Sequence, residues 1–433
     1  MSQRRQMHRL LAAAVLAAVC AVVAPRAAGR GSIIDAVARP ASVANETRAL
    51  WVLRTSLTSQ ASIDALVKRA RDNGFNTLFV QVRGRGDAYY RGSIEPAPAD
   101  LERQPATFDP LASVIQGAQK AGLRVHAWVN VNLVSSAVAI PASRTHLVHR
   151  NPEWLMVPRD IAQELAAVPV DSPAYLGKLA RWTRSQPDDV EGLYASPILP
   201  AAQAHAEAVV RDIARRYALD GVHFDYARYP TERFDYSRAA IAQFRPTVRA
   251  SIDVARRRML DAEERVDLFA YPDAFPEEWR AFRVARMTAL IGRLSAAVKA
   301  ERRSAVVSVA AAPDRAEALT HRLQDWPAWL GDGIVDAVAP MAYTAEPARF
   351  AEQIAQAREA AGSRTLWAGI GAYRLSPEQT IENIQTARRL GADGIILFSY
   401  DSLINPRQTA PDYLPTVGRG AFADRISTED GSR

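Results

Sequence analysis

The stretch that decides how this chain is interpreted is DGVHFDYARYP, residues 220–230. Residues 221–224 predict a short buried strand, and Asp, Tyr, Arg and Tyr side chains follow where buried parallel strands normally stay aliphatic. In a (β/α)8 barrel, catalytic groups collect at the C-terminal ends of the strands. We therefore interpret Asp225 as a catalytic carboxylate at such a strand end. The structural alternative is that Asp225 pairs with Arg228 and caps a turn.

Outward from this strand, apolar runs alternate with stretches of helical periodicity. Seven further runs predict strands, at residues 49–54, 77–82, 124–131, 305–310, 335–339, 365–370 and 394–398. Eight strands with helices between them predict an α/β fold, a single (β/α)8 TIM barrel. The alternative is a doubly wound sheet, but no Gly-x-Gly-x-x-Gly motif follows the first strand to support nucleotide binding.

Two connections are too long for plain barrel loops. One follows the third strand and covers residues 132–200; the other follows the fourth strand and reaches Trp279. Long insertions in compact domains are usually functional walls or lids. Their aromatic residues suggest a carbohydrate groove, because aromatic faces stack on sugar rings; the alternative is that they form small satellite cores. These aromatic residues are Trp154, Trp182, Tyr194, Tyr229, Tyr236, Tyr271 and Trp279.

The composition is that of a soluble globular protein, with 48% hydrophobic and 23% charged residues. The formal net charge is +7, but residues 1–29 hold four arginines and no acid, and removing them leaves 50 basic against 47 acidic residues, about +3. No basic patch interleaved with aromatic residues stands out. This balance argues against nucleic acid as the main partner.

Residues 1–29 predict a signal peptide. Three arginines precede an apolar run at residues 10–24, and small residues at 27–29 offer a cleavage site. The run is shorter than the roughly 20 residues of a membrane span, so we expect no stable membrane insertion after its removal. The chain's single cysteine, Cys20, lies in this run. Lipidation there is disfavoured by the preceding Val19, and the mature chain would hold no disulfide and no thiolate site.

The resulting domain prediction has four parts. Residues 1–29 are the signal peptide, residues 30–47 a flexible lead-in, residues 48–420 a glycosidase-like (β/α)8 barrel and residues 421–433 a disordered tail. The expected location is periplasmic or secreted.

Six segments, in order along the chain, resemble the family 10 glycosyl hydrolase-like proteins. They are RALWV (48–52), FVQVRGRGDAYY (79–90), HAWVN (126–130), PEWL (152–155), DGVHFDYARYP (220–230) and WRAFR (279–283). The resemblance runs from about residue 48 to 405 and implies a TIM-barrel hydrolase of the bacterial cell envelope that acts on glycan strands such as those of peptidoglycan. Many relatives have a second carboxylate directly after the Asp of strand four, where this chain has Tyr226.

The same strand end also resembles that of chitinase-type glycosidases. Their acid Glu lies two residues beyond the last Asp, where this chain has Ala227. The Met341-Ala342-Tyr343 end of the sixth predicted strand is similar too, since such enzymes contact the reacting sugar with a Tyr there. The resemblance implies a chitinase-like scaffold without its acid, which argues against a substrate-assisted mechanism.

Glycoside hydrolysis usually needs one carboxylate that is protonated near neutral pH and one that is ionised. We predict Asp225 as the central catalytic carboxylate, with Asp87 after strand two or Asp401 after strand eight as its partner. The structural alternative for Asp401 is a cap of the turn that follows. Glu346 is better explained as the start of a helix and Asp314 as a surface pair.

Other polar and aromatic residues near the predicted strand ends are expected to bind a polysaccharide substrate. They are Arg54, Gln81, Arg83, Tyr90, Trp128, Asn130, His223, Tyr226, Arg228, Tyr343 and Tyr373. His126 and His223 invite a metal interpretation. Metal-dependent barrels of the amidohydrolase kind, however, need a His-x-His pair and further histidines on later strands. We therefore expect no metal and no cofactor.

Two functions follow from these residues. The first is an exported glycoside hydrolase that cleaves peptidoglycan glycan strands or a related amino-sugar glycan. The alternative is a non-catalytic glycan-binding barrel that serves as a scaffold or adaptor in wall or exopolysaccharide assembly, which Tyr226 and Ala227 favour.

Overall fold

A computed structural model describes residues 45–426, all within one compact unit. The predicted signal peptide, nearly all of the predicted lead-in and the end of the predicted tail lie outside the described residues. The last helix extends to Ile426, so ordered structure continues past residue 420, where the barrel domain was predicted to end.

The described residues form a closed barrel of eight parallel strands, so the predicted fold is confirmed. Strands are numbered in chain order, and β4 and β5 lie outside the barrel. Around the barrel the order is β1, β2, β3, β6, β7, β8, β9 and β10, and β10 pairs with β1. The barrel strands are β1 Thr47–Val52, β2 Thr77–Arg83, β3 Arg124–Asn130, β6 Gly221–Asp225, β7 Val306–Ala311, β8 Ala337–Ala342, β9 Thr365–Ile370 and β10 Gly394–Phe398.

The helices begin where the sequence offers capping groups. Asp109 Oδ1 accepts a hydrogen bond from Ala112 N ahead of a helix with Pro110 at its first position, and Ser376 forms a capping box with Gln379. In chain order the helices are α1 Gln60–Asp72, α2 Pro110–Lys120, α3 Leu147–Arg150, α4 Arg159–Leu165, α5 Pro173–Arg184, α6 Pro200–Arg216, α7 Arg238–Arg249, α8 Val254–Glu263, α9 Ala270–Ala274, α10 Pro276–Glu301, α11 Arg315–Thr320, α12 Trp326–Gly331, α13 Pro347–Ala361, α14 Pro377–Arg389, α15 Tyr400–Leu403 and α16 Tyr413–Ile426. Short 3-10 segments cover Arg54–Leu57, Ala99–Leu101, Pro152–Trp154 and Ala372–Arg374.

The insertion after β3 contains a two-stranded antiparallel sheet that the sequence did not predict. Its strands are β4, Leu133–Ser136, and β5, Gly192–Tyr194. Gly192 is required at the start of β5, since a Cβ there would lie 1.8 Å from the carbonyl oxygen of Ser135. The pairing of β4 with β5 therefore brings residue 191 to the C-terminal side of the barrel.

The two insertions share an apolar core of their own, which includes Tyr236, Tyr271 and Trp279. The prediction that the insertion aromatics line a carbohydrate groove is wrong. Tyr194, Tyr229 and the three just named are buried, and Trp154 and Trp182 are partly buried against neighbouring side chains. The physical reason is that a closed barrel has no room for the apolar side chains of long insertions, so these must bury each other.

Candidate active site

A cavity of about 440 Å³ opens among the C-terminal ends of the barrel strands. This is the side of a (β/α)8 barrel on which active sites lie. Several of the residues proposed from the sequence line this cavity together: Arg54, Gln81, Trp128, Asn130, Asp225, Tyr226, Arg228 and Tyr343.

Asp225 ends β6 and is 8% exposed in the cavity wall. Oδ2 accepts a hydrogen bond of 3.1 Å from Trp128 Nε1, and Oδ1 accepts one of 2.7 Å from the backbone N–H of Tyr226. Burial raises the pKa of Asp225 to about 6, against the opposing effect of the Tyr226 N–H. Asp225 can therefore hold a proton near neutral pH.

Tyr226 adopts a left-handed backbone conformation, with φ of 48°. A non-glycine residue there costs roughly 1–2 kcal/mol, and such strain persists where the surroundings enforce it. The Tyr226 ring contacts Tyr194, with 6.0 Å between ring centroids, and lies 4.8 Å from the guanidinium carbon of Arg228. The turn thus places an aromatic ring and a cation beside Asp225.

Arg228 does not pair with Asp225 in the described structure. Its Nη2 lies 2.5 Å from Glu191 Oε1, so the structural alternative for Asp225 is not the observed arrangement. Glu191 also accepts a hydrogen bond of 2.6 Å from Tyr194 Oη. Burial raises the pKa of Glu191, but Arg228 and Tyr194 outweigh it, so the pKa lies below its ordinary value.

Glu191 lines the cavity and was missed by the sequence analysis. The only signal was Gly192, which follows it and permits the close approach of β4 and β5. Two carboxyl groups in one cavity, one with a raised and one with a lowered pKa, form the arrangement that divides acid and base roles between them.

Glu317 and Arg322 also line the cavity and were not predicted as site residues. Their charged groups lie 3.8 Å apart. Arg85, on the loop after β2, and Trp51, on β1, also line the cavity and were not predicted as site residues.

His223 lies in the barrel interior beneath the cavity and does not line it. Its Nε2 accepts a hydrogen bond of 3.1 Å from Trp51 Nε1, so its proton is on Nδ1, which lies 2.9 Å from Ser308 Oγ. Burial lowers the pKa of His223 well below its ordinary value and that of His126 to about 3. Residues 45–426 contain no cluster of three or more His, Cys, Asp or Glu residues that would hold a metal ion.

Asp401 and Asp87, the predicted partner carboxylates, lie outside the cavity lining. Asp401 accepts hydrogen bonds of 2.7 Å from Leu53 N, 2.6 Å from Ser56 Oγ and 3.1 Å from Thr55 Oγ1. It thereby joins the end of β10 to the segment after β1, and burial raises its pKa. Asp87 accepts a hydrogen bond of 2.9 Å from the backbone N–H of Arg85.

Besides His223, three predicted binding residues lie outside the lining. Arg83 is buried and forms a paired contact of 2.7 Å with Glu95 through both Nε and Nη2. Tyr90 is buried and accepts a hydrogen bond of 3.0 Å from Ser93 Oγ. Tyr373 lies beside Tyr343, with 6.3 Å between the ring centroids, and is 36% exposed.

The aromatic rim is built by Tyr343 and Phe398, which both line the cavity. Their rings are stacked, with 5.3 Å between centroids and 24° between planes. Such flat apolar surfaces suit the faces of sugar rings.

Among the described residues, no helix has the length and apolar character of a membrane span.

Two curated proteins that are similar to this chain are both named as glycosyl hydrolases. "Glycosyl hydrolase DigH" of Escherichia coli K12 is 29% identical over 190 residues, which covers 42% of this chain and 38% of DigH. "Glycosyl hydrolase YngK" of Bacillus subtilis is 23% identical over 202 residues, 43% of this chain and 34% of YngK. The chain thus matches well under half the length of either relative.

Among solved structures, the PgaB (BpsB) glycoside hydrolase domain of Bordetella bronchiseptica superimposes with a TM-score of 0.61. It is 17% identical, and the match covers 87% of this chain and 99% of that domain, a likeness of fold. The model of the family described as Glycosyl hydrolase-like 10 matches residues 39–383. The sequence-based prediction of the family is confirmed, and the chain belongs to the Glycosyl hydrolase-like 10 family.

Proposed function

We propose that this protein is an exported glycoside hydrolase that cleaves an envelope polysaccharide, namely peptidoglycan glycan strands or a related amino-sugar glycan. One observation carries the proposal. Asp225 and Glu191 line one cavity, and their surroundings move the pKa of the first up to about 6 and that of the second down. We assign the partner role to Glu191 in place of Asp87 or Asp401, which lie outside the lining.

In the proposed reaction, protonated Asp225 donates its proton to the glycosidic oxygen as the bond from that oxygen to the anomeric carbon breaks. Ionised Glu191 supports the positive charge that develops on the sugar, either as the base for an incoming water or as the nucleophile. The anomeric configuration of the first product distinguishes these two roles.

The substrate and the location rest on separate support. Residues 1–29 have the composition of a signal peptide, which fits action in the cell envelope. The family resemblance implies glycan strands, and the curated relatives are named as glycosyl hydrolases. The stacked rings of Tyr343 and Phe398 suit the faces of sugar rings.

The test is product analysis with matched variants. Protein purified from its producing cells is incubated with peptidoglycan, with the same material stripped of its peptides, and with chitin oligosaccharides. New reducing ends are identified by mass spectrometry. Asp225→Asn and Glu191→Gln are each expected to lower turnover by at least about 100-fold while binding is retained. Turnover at the parental rate in both variants would contradict the assignment.

The second candidate is a glycan-binding barrel without turnover. It is favoured by Ala227, which is fully buried and has its backbone oxygen held by Gln324 Nε2 at 3.2 Å, so position 227 supplies no acid. Binding of a glycan without any new reducing ends in the parent protein would support this candidate over the hydrolase.

A further inference from the structure

Two arginines line the cavity, Arg54 and Arg85, and the charge of one acid, Asp87, acts on Arg85. No ion pair involves either side chain within residues 45–426. Burial lowers the pKa of Arg85, and the charge of Arg54 lowers it further, so the two guanidinium groups lie near each other. One carboxylate does not balance two guanidinium groups, so a ligand that brings a negative charge is favoured here.

Arg54 is held in place by the cavity wall. Its Nη1 donates a hydrogen bond of 2.8 Å to Gln81 Oε1. The side chain lies over Gly84, where a Cβ would come within 2.7 Å of Nη1, so the absence of a side chain at residue 84 makes this position accessible. Asn130 Nδ2 in turn holds the Gly84 carbonyl oxygen at 2.8 Å. The guanidinium group is therefore positioned before any substrate arrives.

Arg85 is positioned through its backbone. His146, from the insertion after β3, has Nε2 at 2.7 Å from the Arg85 carbonyl oxygen, and Asp87 Oδ1 accepts the Arg85 N–H at 2.9 Å. The next residue, Gly86, has a φ of 69°, which favours glycine, and a Cβ there would lie 2.9 Å from His146 Nε2. The side chain of Arg85 is exposed at the cavity mouth.

The other charges of the lining compensate each other. Arg228 pairs with Glu191 at 2.5 Å, and Arg322 lies 3.8 Å from Glu317. Asp225 has its pKa raised to about 6. The side of the cavity formed by the end of β1 and the loop after β2 therefore carries a net positive charge, because it holds two arginines and, in Asp87, one acid.

We infer that Arg54 and Arg85 form a subsite for a carboxylate carried by a sugar of the glycan substrate. The guanidinium group binds a carboxylate through paired N–H donors, which an uncharged hydroxyl or acetamido group cannot match. The inference rests on the proposed function and narrows its substrate to an acidic glycan.

The test measures binding, so that it does not depend on turnover. Full-length protein carrying Asp225→Asn is titrated with peptide-free peptidoglycan strands, whose sugar carboxylates are free, and with the same strands after reduction of those carboxylates to alcohols. We expect the reduced strands to bind at least about tenfold more weakly. Added salt is expected to weaken only the binding of the carboxylated strands.

Variants of the two arginines locate the effect. Arg54→Met and Arg85→Met are each expected to remove most of the preference for carboxylated strands, and Arg85→Lys to keep part of it. Arg181→Met, on the exposed face of α5, is the control and leaves the preference unchanged. Because Arg85 is exposed, its replacement tests the subsite without disturbing a buried contact.

Other results would overturn the inference. These are equal binding of both strand forms, no binding of carboxylated strands, or an unchanged preference in both methionine variants. Tighter binding of strands that retain their peptides would assign the arginines to peptide carboxylates and also overturn it. Turnover by the parent protein without a preference for carboxylated strands would support the proposed function and contradict this inference. A preference for carboxylated strands without turnover would support this inference and contradict the proposed function.

Discussion

Trp128 and Asp225, on the adjacent strands β3 and β6, are joined by a hydrogen bond of 3.1 Å from the indole Nε1 to Oδ2. The indole N–H stabilises the ionised carboxylate and so limits the rise in pKa that burial causes. A residue on the neighbouring strand therefore contributes, together with burial and the Tyr226 N–H, to the pKa of the proposed acid.

Trp128→Phe should move the pH profile of turnover. If protonated Asp225 is the acid, kcat/KM falls as the pH rises through a value near 6. Loss of the indole donor raises the pKa further, so this decline is expected to shift upward by roughly one pH unit. Trp367→Phe, in the same aromatic cluster of the barrel interior, is the control, and an identical shift there would exclude the hydrogen bond as the cause.

Asp225→Asn should stabilise the fold above pH 6. The folded-state pKa of about 6 exceeds the ordinary value of 3.8, so the folded state binds the proton more tightly, and the free energy of unfolding falls as the pH rises between these values. The parent loses about 1–3 kcal/mol of its free energy of unfolding in this way, whereas the amide side chain does not ionise and loses none. Urea unfolding at pH 4 and pH 7.5 measures this. A variant less stable than the parent at pH 7.5 would contradict the prediction.

Asp401 should act on stability more than on turnover. Its carboxylate accepts three hydrogen bonds that join the end of β10 to residues 53–56. We expect Asp401→Ala to lower the free energy of unfolding by about 1–3 kcal/mol, because the partly buried Leu53 N–H and Ser56 hydroxyl lose their acceptor. Turnover per folded molecule should change less than tenfold. A loss of turnover as large as that of Asp225→Asn, with stability intact, would restore Asp401 as a catalytic carboxylate.

Glu95 should make the fold sensitive to acid. Burial opposes its ionisation, but Arg83 and His205 outweigh this and hold the pKa of Glu95 below its ordinary value. A lowered folded-state pKa contributes stability above the ordinary value of 4.5 that is lost as the pH falls below it. Glu95→Gln is expected to cost about 3 kcal/mol at pH 7, because Arg83 stays buried without its partner.

The difference in the free energy of unfolding between Glu95→Gln and the parent should therefore become smaller as the pH falls from 4.5 to 3. Urea unfolding measures this difference. A constant difference over this range would show that the ion pair does not supply the stability. Glu153→Gln, at an exposed site in the insertion, provides the control.

The sequence by itself was sufficient for the barrel and for the position of Asp225 at the C-terminal end of one of its strands. Apolar runs of strand length alternate with helical periodicity, and burial of those runs admits few arrangements besides a closed parallel barrel. Asp225 was identifiable because a carboxylate directly after a buried strand must emerge at the C-terminal end of the barrel. Both inferences use only neighbours along the chain.

Contacts between distant segments were decided only by the tertiary structure. Glu191 reaches the cavity because β5 pairs with β4, and that pairing depends on the close approach at Gly192. Arg83 lies at the end of a barrel strand as predicted, yet it is paired with Glu95. Sequence patterns record which faces are apolar, whereas the partner of each polar group depends on the distances that packing creates. That is why the strand ends could be located in advance and the pairs of charges around them could not.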